Sequence, residues 1–123
     1  DPVNDTLLMF SGSGRSSDTW AWTTRWQRLQ PQTSPPARTG HAMAPDSQRQ
    51  RVLLFGGKDP GTSGLPVFGD TWSWDGTTWQ ALAPVVSPPA RIWHAMAEDT
   101  ARGRVVLYGG GTTTTGATTS ASA

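Results

Sequence analysis

The residues most able to do chemistry come as two Arg–His pairs, Arg38 with His41 and Arg91 with His94. A guanidinium and an imidazole three positions apart could hold an anionic or a sugar ligand. They could equally serve structure, Arg closing on a carboxylate such as Asp70 and His making a hydrogen bond in the interior. On an extended strand, positions i and i+3 point to opposite faces. Six tryptophans add a second set: Trp20 with Trp22, Trp72 with Trp74, then Trp26 and Trp79. Residues at i and i+2 share one strand face. Such rings could stack sugars or bases, or fill the space between sheets. Cysteine is absent and only two histidines occur. No thiolate nucleophile, disulfide or thiolate metal site is available. No serine sits in a nucleophile elbow, and no phosphate loop, dinucleotide fingerprint or metal-spaced cluster is present. The expectation is a chain with no catalytic residue, no cofactor and no metal.

A repeat positions these residues. Residues 34–44 read SPPARTGHAMA and residues 87–97 read SPPARIWHAMA, an offset of 53. The same offset carries Phe55-Gly56-Gly57 onto Tyr108-Gly109-Gly110, and Arg51 onto Arg104. An earlier copy is more degraded. Asp18-Thr19-Trp20 matches Asp70-Thr71-Trp72, Trp22 matches Trp74, and Trp26 matches Trp79. Leu7 to Gly12 matches Val52 to Gly57 at an offset of 45. Each full unit gives four strand signals: Thr39 to Ala44, Arg51 to Phe55, Thr71 to Trp74, and Trp79 to Leu82. Asp75-Gly76 marks a tight turn between the last two. Four short strands per period of about 50, with a Gly-Gly mark and paired Trp, predict an all-β chain of propeller blades. Because the Arg–His pairs and the Trp pairs recur with the repeat, a structural role is expected for Arg38, His41, Arg91, His94, Asp18, Asp70 and these tryptophans.

The pattern P-x-R-x-x-H-A-M, then V-L-L-F-G-G, then D-T-W-x-W-D-G-x-x-W, resembles a bacterial kelch repeat over residues 1–111. The resemblance implies blades of four antiparallel strands, the first lining a central channel and the fourth outermost. It implies scaffold and interaction work more often than catalysis. Copper radical oxidases built on such blades need a Tyr–Cys crosslink, which a chain with one Tyr and no Cys cannot supply. The stretch from Ser73 to Trp79 is similar to the sialidase Asp-box less one residue, a structural turn that does not argue for a glycosidase.

The frame divides the chain into a partial blade at 1–33, a complete blade at 34–86, a partial blade at 87–111, and a Thr/Ser-rich tail or linker at 112–123. Two blades and a strand cannot close a ring of about four to eight. The expected partners are further copies of the chain, in a closed ring or a filament, or the rest of a longer propeller. A protein or glycan ligand is a further expectation. Trp93 stands where the other copy has Gly40, so the repeat does not demand it, and it is a candidate contact residue. The loop at 57–69 adds Lys58, Leu65, Val67 and Phe68. These either face a partner or fold back to cap the blade. The net charge of +1 gives no field that would gather nucleic acid. Apolar runs of about four residues fall far short of the ~20 a membrane helix needs. An extracellular or cell-surface setting, with O-glycosylation of the tail, is expected. The alternative is a fragment of a larger propeller enzyme or glycan-binding protein whose active residues lie elsewhere.

Overall fold

Val, Leu, Thr and Trp cluster in short runs cut by Gly, Pro and Asp, and each run becomes a strand. The computed structural model describes residues 1–11, 16–61 and 66–112. The strands are β1 (Leu7–Phe10), β2 (Thr19–Trp22), β3 (Trp26–Leu29), β4 (Ala42–Asp46), β5 (Arg51–Phe55), β6 (Thr71–Trp74), β7 (Trp79–Leu82), β8 (Ala95–Asp99) and β9 (Arg104–Tyr108). They form three antiparallel sheets, ordered β1-β2-β3, β4-β5-β6-β7 and β8-β9. None closes into a barrel, and the arrangement is compatible with a fragment of a propeller. No helix among the described residues is long and apolar enough to cross a membrane.

The register repeats with the sequence. Ala42 lies opposite Phe55 and Met43 opposite Leu54; likewise Ala95 lies opposite Tyr108 and Met96 opposite Leu107. Alternation then sends the side chains of each strand to two neighbours. From the middle sheet, Val52, Leu54, Trp74 and Trp79 join Phe10 of the first sheet in the core, with Leu8, Leu29, Met43 and Trp72 packed around them. The other face of β5 carries Leu53 and Phe55. These face Met96, Val105 and Leu107 of the third sheet across a cavity of about 220 Å³.

The first strand of each repeat differs from expectation. It starts at Ala42 and at Ala95, not three residues earlier. Gly40 and Trp93 hold the left-handed region, with φ of 72° and 58°, and that turn breaks the ladder. β4 also runs on to Asp46, and a single 3-10 turn, Ser47–Arg49, makes the corner. Arg38, His41, Arg91 and His94 therefore lie ahead of the strands. The opposite-face argument for i and i+3 does not apply to them.

Candidate interface at the sheet junctions

Consecutive sheets are joined by the same device twice. His41 Nε2 lies 3.0 Å from the Phe10 carbonyl, and its ring meets the Phe10 ring edge-on at 5.8 Å. His94 Nε2 lies 2.8 Å from the Phe55 carbonyl, with the rings edge-on at 5.6 Å. A carbonyl only accepts, so Nε2–H is the donor. Nδ1 of each histidine is buried with no partner. Burial pulls both pKa values below the ordinary histidine value, against the Phe carbonyl bond, which favours the charged form. The Gly56 backbone completes the second junction at φ 75°. A Cβ there would lie 2.6 Å from the Arg91 carbonyl, so only glycine permits the approach.

Arg38 anchors the middle sheet. It is fully buried, and its Nη1 and Nη2 grip the Asp70 carboxylate at 2.6 and 2.8 Å. It also donates from Nη1 to the Gly56 carbonyl at 3.0 Å and from Nε to the Pro36 carbonyl at 3.2 Å. Its guanidinium stands 4.1 Å over the Phe68 ring. The Trp72 indole donates to the same Asp70 carboxylate at 2.8 Å. Burial alone would raise the Asp70 carboxyl. The bonds from Arg38 and Trp72, and the Arg38 charge, instead hold it below the ordinary range.

Arg91 repeats this pose without the carboxylate. It is 2% exposed and donates to the Gly109 and Pro89 carbonyls at 3.0 and 3.1 Å. Among the described residues no acid meets it. Asp18, which matches Asp70 in the repeat, meets no arginine among the described residues either.

The tryptophans divide in the same way. Trp74 and Trp79 are buried, with ring centroids 5.4 Å apart and planes tilted by 56°. Trp79 meets Phe10 edge-on at 5.5 Å and donates to the Thr19 hydroxyl at 3.0 Å; Trp74 donates to Asp1 at 2.8 Å. Trp22 and Trp26 form a matching pair at 5.3 Å and 58°, yet they are 41% and 43% exposed. Trp20 is half-buried and shares a surface hollow with Met9 and Trp26. The expectation that all these rings fill a core holds only for the middle sheet. Among the described residues nothing covers the outer face of the first.

Trp93 is exposed, and Lys58 Nζ lies 5.2 Å from its ring centre. The long loop folds back. Lys58 forms single bridges to Thr39 and Val67, and Val67 and Phe68 are half-buried. Leu65 and residues 113–123 lie outside the described residues. The stacking of Phe68 on Arg38 escapes sequence reasoning, since loop length does not say which way a ring turns. The paired Asp46 with Arg49 and Arg51 was also missed, although the Arg51–Arg104 repeat was a visible signal.

Chemically the junctions hold and dock. Their charges are engaged with carbonyls and carboxylates, and no group of three metal-ligating side chains occurs among the described residues. Compared with models of known families and with curated proteins, the chain matches none.

Proposed function

We propose that the chain is a kelch-type propeller segment that works as a non-enzymatic binding and scaffold module. Its sheets serve as blades, completed by further blades from other copies or from a longer polypeptide. One observation carries this reading: the His–carbonyl junction between sheets occurs twice with nearly the same geometry, 3.0 and 2.8 Å. A contact that repeats with the sequence is a contact that can be extended. The Trp22–Trp26 face at one end and Tyr108, 68% exposed, at the other are exposed aromatic surfaces on which such an extension could build. The ligand classes this reading admits are protein and glycan, in an extracellular or cell-surface setting.

Native mass in solution, beside the denatured mass, tests it. A discrete oligomer of a few chains, or a large open-ended assembly, is the expected result. A monomer at every concentration, binding neither protein nor glycan, sinks the proposal.

A further inference from the structure

The chain contains one complete Arg–Asp pair and the two halves of another. Arg38 holds Asp70 through two bonds. Arg91 is buried in the same pose with no acid, and Asp18 holds the position of Asp70 with no arginine, among the described residues. A buried guanidinium without a counter-charge is costly, and a carboxylate in bidentate contact is its natural complement.

The surroundings of the two halves match as well. Beside the third sheet, the cavity is bordered by Phe55, Thr71 and Asp46, together with Val105 and Leu107 of β9. In the repeat, Phe55, Thr71 and Asp46 correspond to Phe10, Thr19 and Asp1. Those three are the residues that receive the buried indole pair: Phe10 takes the Trp79 edge, Thr19 takes its N–H, and Asp1 takes the N–H of Trp74. The cavity thus presents the aromatic edge and both acceptors for a second indole pair. The exposed Trp22–Trp26 pair already has the geometry of the buried one.

We propose that a second copy of this chain docks here by strand exchange. Its β1-β2-β3 sheet lies alongside β8 in the place of β9. β1 and β9 match the same strand of the repeat, β5, so β8 can accept either in one register. The exchange sets Met96 opposite Met9 of the second copy, as Met43 stands opposite Leu54. Leu7 and Met9 of the second copy take over from Val105 and Leu107. Trp22 and Trp26 of the second copy enter the cavity, and its Asp18 closes on Arg91. The resulting sheet has four strands, like the middle one. Each copy offers both halves of the contact at opposite ends, so the mode of association is head to tail. This inference rests on the scaffold reading above and names the surfaces that meet.

The absence of cysteine allows a direct test. Met9→Cys and Met96→Cys are placed in separate full-length chains, mixed and oxidised. Directly opposed residues on antiparallel strands have Cα atoms about 4.5–5.5 Å apart, within the ~4.4–6.8 Å that a disulfide spans. The expected product is a disulfide-linked heterodimer of twice the chain mass, identified by its linked peptides. Asp18→Asn in the Met9→Cys chain lowers the yield about tenfold, the cost of leaving a buried charge unpaired. Trp26→Ser, at a side chain exposed in the single chain, lowers it similarly. Assembly by light scattering without this crosslink overturns the exchange and leaves the scaffold reading standing. A monomer with no crosslink at any concentration overturns the exchange and counts against self-assembly as well. A crosslink unchanged by both substitutions overturns the assigned docking contacts.

Discussion

The two histidines show how one buried nitrogen couples the fold to pH. Each ring donates through Nε2 and leaves Nδ1 buried and bare. Burial disfavours the charged ring, so both folded pKa values lie below the ordinary one. The unfolded chain, with histidine near about 6.5, then binds more protons than the folded chain in the interval between the two values. Stability is full above that unfolded value and falls as the pH drops through it. Urea midpoints taken near pH 7.5 and about pH 5 are expected to differ. His94→Gln, which keeps an N–H donor but cannot be protonated, is expected to narrow that difference. An unchanged difference would place the acid sensitivity in other groups; Asp70, whose carboxyl is held below the ordinary range, loses its contribution only at lower pH than this interval covers. The Arg and His of each repeat were legible in sequence because they recur. Their directions were not, because both precede the strands on which the alternation rule depends.

The strands themselves were easy to read where a dense apolar run meets a sharp stop. β5 ends at Gly56-Gly57, β6 ends at the Asp75-Gly76 turn, and both have the bounds the sequence suggests. β4 and β8 were not, because a left-handed residue two positions before the strand is invisible to hydrophobic pattern. Gly40 takes that conformation freely, whereas Trp93 takes it at a cost of roughly 1–2 kcal/mol for an L-residue. Trp93→Gly removes that strain and gives back about 0.5–1 kcal/mol in unfolded-chain entropy. The expected thermal stability is unchanged or higher by about 1 kcal/mol. A loss of more than about 2 kcal/mol would instead mean that the indole, with Lys58 beside it, holds the turn. The outward face of β2 and β3 also escaped the sequence. Trp22 and Trp74 are the same letter of the repeat, and only the neighbouring sheet decides which is buried.

At the scale of the molecule, among the described residues the strands pair only within a sheet, and the sheets share no backbone ladder with one another. What links them is the side-chain core, the histidine–carbonyl bonds, and loop contacts such as Ser47 with Glu98 at 2.9 Å between hydroxyl and carboxylate. Among the described residues the middle sheet is covered on both faces, whereas the first and third are each covered on one. Opening of the backbone therefore has a spatial order. Amide protons of β5 are expected to exchange with deuterium most slowly, and those of β3 and β9 markedly faster. Mass-resolved exchange on the intact chain would show this as a gradient falling away from β5 in both directions. A single uniform rate would mean that the three sheets open together. With the gradient, each flanking sheet is a fraying end whose protection depends on what is laid over it. Time-resolved labelling could then watch a neighbour arrive before any change of mass is detected.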